Sequence, residues 1–248
     1  MKLVKLFLAA AIAAVTLTGC EALAEAVSNS LSFVFSGVTV YDGQTALLGL
    51  TYKSEVDWTI ANDSKDLVKL EYNDQGKNCV AKFNLPANAD KQYKVHLKTS
   101  DRNDKSVEAY EGEITVAPWK LMIYKKGSDG QETEIGTTSS FAKNGAGTYV
   151  VKMVYLNDKN QWVPVGSVLY RLELITGGHR VAWTSGGAAH LIQDQADTNC
   201  SVEFDITAAP SNNCSVTATL GRERDANGNK IDIYQDKNRV DRSVTFTK

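Results

Sequence analysis

Short segments of alternating apolar and polar residues make up the chain from Leu31 onward, and residues that favour turns separate them. A period of two places one set of side chains on the buried face of a strand and the other set in solvent. Helical periodicity is scarcely visible in the same region. The alternation therefore predicts an all-β sandwich.

The number of segments is similar to that of an immunoglobulin-like domain. Seven of them, from SFVFSGVTVY to YEGEITVA, lie within residues 31–117. Residues 118–248 continue the pattern over a longer stretch and are expected to carry extra strands. The expected fold class is therefore all-β, with two immunoglobulin-like sandwiches in tandem and the second enlarged.

Proline positions agree with this division. The chain has four prolines, and all fall at segment ends or connections, where a missing N–H removes no ladder hydrogen bond. Pro118 follows the segment ITVA and marks the predicted boundary between a first domain at 31–117 and a larger second domain at 118–248. Because the connection there is very short, we expect the two domains to keep a fixed relative orientation.

The two halves also resemble each other. Two pairs of segments match in the same order: VDWTIAN with VAWTSGG, and NCVAKFNL with NCSVEFDI. Tyr93 follows Cys79 by the same interval that separates Cys214 from Cys200. These matches predict one repeated sandwich unit in which Trp58 and Trp183 are equivalent core residues.

The first residues have the layout of a bacterial export signal. Lys2 and Lys5 are followed by the almost wholly apolar stretch LFLAAAIAAVTL and by small residues before Cys20. The apolar stretch is about 12 residues long, and a helix needs roughly 20 to span a bilayer, so a permanent span is disfavoured.

The motif LTGC resembles the lipobox of bacterial lipoproteins. The resemblance implies cleavage of residues 1–19, lipidation of Cys20, and a tether over residues 20–30. Two or more acyl chains give a stable membrane anchor. Glu21 and Glu25 resemble the acidic export signals of Bacteroidota surface lipoproteins, so we expect an outer-membrane location, surface-exposed rather than facing the periplasm.

The alternating body resembles the tandem immunoglobulin-like domains of bacterial surface lipoproteins. It departs from the antibody pattern because Cys200 and Cys214 both follow Trp183, whereas in antibodies the cysteines flank the tryptophan. In an exported protein these two cysteines are the predicted disulfide, with two buried free thiols as the alternative. Cys79 is expected to be a small buried apolar residue.

Charge argues against nucleic acid as a partner. Removal of residues 1–19 takes away two lysines and no acids, so the formal net charge changes from −2 to −4. A mildly acidic body without a basic run lacks the electrostatic footprint of a nucleic-acid-binding protein.

Candidate site residues are sparse. Ser185 with His179 or His190 could suggest a hydrolase, but no nucleophile elbow surrounds the serine, and a loop is expected. His96 lies on a predicted strand and is expected to be structural or exposed.

Oxygen-bearing side chains alternate in the segment DANGNKID, and they form a weak calcium candidate: Asp225, Asn227, Asn229 and Asp232. An Asn227-Gly228 hairpin turn explains the same residues more simply. Trp162 follows the turn NDKN and is the candidate for contact with a ligand.

These observations predict a non-enzymatic outer-membrane lipoprotein that acts as a binding or structural module, as an accessory of a larger envelope complex. The alternatives are a surface glycan-binding protein for polysaccharide uptake and, less favoured, a hydrolase that uses Ser185 and His190. The expected partners are the membrane through Cys20 and an envelope protein or a glycan, and no cofactor is expected.

Overall fold

The computed structural model describes residues 38–48, 56–72, 79–103, 110–165, 179–186, 196–197, 200–222, 229–237 and 239–248. This part of the chain holds seventeen strands, one four-residue helix and two 3-10 turns. The strands form four sheets, two from residues before Pro118 and two from residues after it. The predicted all-β sandwich class is confirmed. No helix among the described residues has the length and apolar character needed to cross a membrane.

The first sandwich contains the seven predicted strands: β1 (Val38–Tyr41), β2 (Thr45–Leu48), β3 (Val56–Ile60), β4 (Val68–Tyr72), β5 (Cys79–Phe83), β6 (Tyr93–Asp101) and β7 (Tyr110–Ala117). One sheet has the order β1-β7-β6-β3 and the other has the order β2-β5-β4. The first strand runs parallel to the last, and the other pairs are antiparallel. In this sandwich the sheet that holds β3, β6 and β7 faces the sheet that holds β2, β4 and β5. This is the immunoglobulin arrangement.

Alternation along β6 shows why the first core forms. Val95 and Leu97 are buried, whereas Lys94 and Lys98 are exposed. The paired strand β7 contributes the buried Ile114 at the same level as Val95. Each strand therefore turns its apolar set toward the opposite sheet, as the period of two predicts.

The second sandwich contains ten strands and is the larger one: β8 (Trp119–Lys126), β9 (Glu132–Gly136), β10 (Thr138–Ser140), β11 (Gly147–Leu156), β12 (Trp162–Pro164), β13 (His179–Gly186), β14 (Ala196–Asp197), β15 (Ser201–Ile206), β16 (Cys214–Arg222) and β17 (Val240–Thr247). One sheet has the order β10-β17-β16-β13-β14. In the other sheet, β11 pairs with β8 along one edge and with β12 and β15 along its other edge. Strand β9 pairs with the far edge of β8. Helix α1 (Phe141–Asn144) joins β10 to β11.

The repeated unit occupies equivalent places in both sandwiches. Trp58 lies on β3, which pairs with β6, and Trp183 lies on β13, which pairs with β16. Both rings are buried, Trp183 completely. The second matching segment forms β5 in one half and β15 in the other, and each pairs antiparallel with the strand corresponding to β2. The additions in the second sandwich include the β8–β9 hairpin and α1.

Two turns connect neighbouring strands of the second sandwich. Gly130 has a φ of 79° and its N–H donates to the Gly127 carbonyl at 2.9 Å, which closes the hairpin between β8 and β9. In the turn NDKN, the Asn157 side-chain oxygen accepts hydrogen bonds from the N–H groups of Lys159 and Gln161, both at 2.9 Å. The predicted turn at Asn227-Gly228 lies outside the described residues.

The predicted disulfide between Cys200 and Cys214 is absent, and neither cysteine is disulfide-bonded. Cys214 is paired across the sheet with Phe246, whose ring lies against that of Phe204. Cys200 precedes Phe204 by four residues, which is about 13 Å along an extended strand. Because a disulfide needs Cα atoms within about 7 Å, the two cysteines are too far apart to be bridged. The prediction was wrong because the two cysteines lie at different levels of the sandwich, on strands of different sheets.

Candidate functional site

Asp42 organises the junction between the two sandwiches, where only Pro118 separates β7 from β8. Its backbone carbonyl accepts a hydrogen bond from the Trp119 indole N–H at 2.9 Å. Its side chain pairs with the Arg242 guanidinium at 2.8 Å and accepts the Leu85 N–H at 2.8 Å. The guanidinium also lies over the Trp119 ring, 5.6 Å from its centroid. One carboxylate thus ties the β1–β2 turn of the first sandwich to β8 and β17 of the second.

Two further contacts extend the junction. The ring of the buried Tyr41 meets that of Tyr155 edge-on, with centroids 5.5 Å apart. The Gln92 side-chain amide donates to the Leu156 carbonyl at 2.9 Å. Burial raises the pKa of Tyr41, so its hydroxyl stays neutral over the physiological range.

Charged residues connect the sandwiches at a second place. The buried Asp236 accepts the backbone N–H of Arg222 at 3.0 Å, and the two side chains lie 3.9 Å apart. On the other side, Arg222 lies 3.9 Å from Glu71 of the first sandwich, which pairs with Lys82. The end of β16 therefore contacts the sheet formed by β4 and β5.

A cavity of about 430 Å³ lies at the end of the second sandwich remote from the junction. The β8–β9 hairpin supplies one wall and α1 the other, and the lining residues are Lys125, Lys126, Gly127, Thr133, Glu134, Ile135, Lys143 and Asn144. Trp119, at the junction, is six residues from Lys125 along β8, or about 20 Å in an extended strand. Loops at the ends of sandwiches are where recognition residues usually lie.

Lys125 lies on the inner face of the sheet, which is unusual for a lysine. It is paired across the sheet with Tyr149, whose buried ring packs against Phe246. The Lys125 ammonium lies 5.7 Å from the Tyr149 ring centroid and donates to the carbonyl of Asn144 at the end of α1. Gly147 provides the space for this side chain, because a Cβ there would lie 2.9 Å from the Lys125 Cε.

The other lysines of the cavity have different surroundings. Lys126, one residue further, belongs to the outer face and pairs with Glu203 at 2.9 Å. Lys143 is exposed on α1 and has no ion-pair partner among the described residues. Among the described residues no carboxylate lies within ion-pair distance of Lys125 or Lys143, although Glu134 also lines the cavity.

The serine and histidine of the hydrolase alternative do not come together. Ser185 and His179 lie on the same strand, β13, six residues apart. Their Cα atoms are about 20 Å apart at the rise of an extended strand. A nucleophile and its base need to lie within hydrogen-bonding distance, so this pair does not form a catalytic dyad. His190 lies outside the described residues.

The weak calcium candidate is described only in part, since Asp225 and Asn227 lie outside the described residues. Asn229 is exposed. Asp232 caps a 3-10 turn, because its side chain accepts the N–H of Tyr234 at 3.0 Å. This hydrogen bond gives Asp232 a structural role in the chain between β16 and β17.

Trp162 is among the exposed large apolar side chains, with 36% of its surface accessible. It begins β12, a short strand paired only with β11 among the described strands. The Lys120 ammonium lies 4.0 Å from the Trp162 ring centroid. One face of the ring is therefore already engaged in a cation–π contact.

His96 lies between two carboxylates on the outer face of the first sandwich. Its Nδ1 is 3.1 Å from Asp63 and its Nε2 is 3.3 Å from Glu113. Hydrogen bonds, first from Ser64 and then from His96, lower the pKa of Asp63. The two carboxylates bond opposite sides of the imidazole, so they do not converge on a point where a metal ion could bind. No metal-binding group of three side chains occurs among the described residues.

Cys20, the predicted lipidation site, lies outside the described residues together with the signal segment 1–19 and the tether 20–30. The sequence matches no protein-family model and no curated protein.

Several solved structures resemble the chain at low similarity. An endo-fucoidan hydrolase from glycoside hydrolase family 107 is 12% identical with a TM-score of 0.28, over 86% of this chain and 33% of that one. The chain thus spans about a third of the hydrolase. The D00-D0 domain of intimin is 14% identical with a TM-score of 0.28, over 86% of this chain and 98% of that domain. Human protocadherin-24 EC1-2 is 10% identical with a TM-score of 0.25, over 87% of this chain and 95% of that one. Likeness at this level assigns neither a family nor a function.

Proposed function

We propose that this chain is a non-enzymatic lipoprotein of the outer membrane, held by lipid on Cys20, that presents two sandwiches as one stiff binding or structural module. The lipobox motif LTGC supports the anchor, and the acidic residues that follow Cys20 support exposure at the cell surface. The partner is a component of a larger envelope complex.

The junction at Asp42 is the observation that carries the structural part of the proposal. Domains within a chain move relative to one another unless their interface is extensive. Here a single proline separates β7 from β8, and the side chain of Asp42 joins Arg242 while its carbonyl receives the Trp119 N–H. Such a junction holds the far end of the second sandwich at a fixed distance and angle from the first, and preorganisation of this kind lowers the ordering cost of binding.

The anchor is tested by mass spectrometry and membrane fractionation of the chain expressed in a bacterium with two membranes. Wild type should carry the mass of a lipidated Cys20 and sediment with the outer membrane, and protease added to intact cells should digest it. Cys20→Ser should lose the lipid mass, while Cys79→Ser, the matched control, should keep it. An unlipidated wild-type chain, or a lipid mass that persists in Cys20→Ser, contradicts the anchor.

The module itself is tested by crosslinking on cells followed by affinity capture. The variant Asp42→Asn/Arg242→Gln should keep its lipid and its two folded sandwiches but lose crosslinked partners, because the orientation of the sandwiches is released. Equal capture by wild type and variant contradicts the need for a stiff junction. Labelling by a serine-reactive fluorophosphonate probe that disappears in Ser185→Ala contradicts the non-enzymatic proposal.

A further inference from the structure

We propose that the cavity between the β8–β9 hairpin and α1 binds the oxyanion of an acidic sugar, with the ammonium groups of Lys125 and Lys143 as its charged contacts. This inference concerns the remote end of the second sandwich and does not depend on the lipid anchor. It is also separate from Trp162, which lies on a different edge of the sheet next to Lys120.

The charge of the cavity indicates an anion. Lys125 and Lys143 have no carboxylate within ion-pair distance among the described residues, whereas the nearby surface lysines Lys126 and Lys152 are each paired with a glutamate. Glu134 also lines the cavity, but these two unpaired lysines outnumber it. Partial burial strengthens the attraction of Lys125 for an anion, because water screens the charge less there than at an open surface.

The position of Lys125 also distinguishes it from a solvated lysine. Along β8, Leu121 and Ile123 fill the inner face, and Lys125 occupies the next inward position. The absence of a side chain at Gly147 lets it lie there. Its hydrogen bond to the Asn144 carbonyl uses one of three ammonium hydrogens, so two remain for other acceptors.

The size and polarity of the cavity favour a sugar over an inorganic ion or an apolar acid. Its volume of about 430 Å³ exceeds that of ten liquid water molecules at about 30 Å³ each, and it falls in the range of small-molecule sites. Thr133, paired with Lys125 across the hairpin, adds a hydroxyl to the same face. The lining combines the apolar side chain of Ile135 and the carbon stems of the lysines with polar groups, and such a mixed surface suits the C–H faces and hydroxyls of a sugar ring.

Calorimetric titration of the purified full-length chain tests the inference with five probes: D-glucuronate, glucose 6-sulfate, glucose, sodium sulfate and triglutamate. Glucuronate or glucose 6-sulfate should bind, and the tighter of the two identifies the preferred oxyanion as a carboxylate or a sulfate. Glucose and sulfate alone should bind at least about tenfold more weakly, and added salt should weaken binding of the acidic sugar.

Variants separate the cavity from general surface charge. Lys143→Gln should weaken binding of the acidic sugar about fivefold, and Lys125→Met should weaken it more, since Lys125 is less exposed. Lys159→Gln removes an exposed lysine from the Asn157–Asn160 turn and should leave the affinity unchanged. Because Lys125→Met also removes the contact to α1, the result for Lys143→Gln decides.

Three outcomes overturn the proposal. The first is no heat from either acidic sugar. The second is equal weakening by Lys143→Gln and Lys159→Gln. The third is tighter binding of triglutamate than of both acidic sugars, which would identify an acidic peptide as the ligand instead.

Discussion

The Tyr72 hydroxyl makes two hydrogen bonds to the backbone of Trp58: it accepts one from the N–H at 2.9 Å and donates one to the carbonyl at 2.9 Å. Trp58 lies on β3, which among the described strands pairs only with β6, and Tyr72 ends β4 in the opposite sheet. An unpaired strand edge presents N–H and C=O groups that can pair with another chain. Tyr72 therefore links the two sheets, and its hydroxyl provides hydrogen-bond partners for the Trp58 N–H and carbonyl at the centre of an edge strand.

Replacing Tyr72 with phenylalanine should destabilise the first sandwich. The ring is kept and both hydrogen bonds are lost, so we expect the free energy of unfolding to fall by about 1–2 kcal/mol. Denaturant unfolding followed by tryptophan fluorescence measures the change. Tyr93→Phe is the matched control, because the Tyr93 hydroxyl has no hydrogen-bond partner among the described residues. Equal losses in the two variants would contradict the role assigned to the Tyr72 hydroxyl.

Removing the Asp42–Arg242 pair should release the two sandwiches from each other. Asp42 is mostly buried and its partner is half-exposed, so Arg242→Gln should cost about 1–2 kcal/mol of unfolding free energy. Nuclear magnetic relaxation should give one tumbling time for both sandwiches in wild type and two in the variant. Arg102→Gln removes an ion pair of similar length within the first sandwich and should leave a single tumbling time. Two tumbling times in wild type would contradict a stiff junction.

The alternation of the sequence was sufficient to predict the strands of the first sandwich, and the matching segments of the two halves predicted the equivalence of Trp58 and Trp183. Strand formation and inward orientation are local properties, encoded by neighbouring residues. The junction could not be predicted in this way, since Asp42 and Arg242 are 200 residues apart in the chain and neither has a local signal. The disulfide prediction failed for a related reason: the positions of Cys200 and Cys214 in the chain do not show at which level of the sandwich each cysteine lies.

One feature of the sequence, a lysine at an inward position of β8, did indicate the cavity. In WKLMIYKK the inward phase is filled by Trp119, Leu121 and Ile123, and the next inward position is Lys125. A lysine at a core position of a strand is rarely buried without a polar partner. Such a break in the alternation indicates an open end of the sandwich. It does not reveal α1, because a helix of four residues between turn-forming neighbours is too short to be predicted from sequence.

Thiol reactivity should follow burial. Desolvation raises the pKa of Cys79 to about 11, so almost none of it is thiolate at pH 8. In the folded protein Cys79 and the buried Cys214 should resist iodoacetamide, whereas the half-buried Cys200 should react first. Peptide mass spectrometry after timed alkylation measures the three rates. Recovery of a Cys200–Cys214 linked peptide from the unreduced protein would contradict the distance between these two residues.

Lys94 should control the titration of Glu113 on the outer face of the first sandwich. The Lys94 ammonium donates to Glu113 at 2.6 Å, and this hydrogen bond, assisted by the charge of Lys94 and by His96, lowers the pKa of the Glu113 carboxyl below its ordinary value of 4.5. A carboxyl whose pKa is lower in the folded state than in the unfolded state stabilises the fold above its unfolded-state pKa. That contribution is lost as the pH falls through the folded-state pKa.

Lys94→Met should therefore move the Glu113 pKa upward toward 4.5, and the stabilising contribution should be reduced at neutral pH. Carbon-13 detection of the Glu113 carboxyl during a pH titration measures the shift directly. Lys69→Met removes an exposed lysine from β4, in the opposite sheet, and should leave the Glu113 pKa where it is in wild type. A Glu113 pKa that stays low in Lys94→Met would contradict the role of Lys94. The lowered pKa would then be due to His96, whose Nε2 also lies within hydrogen-bonding distance of this carboxylate.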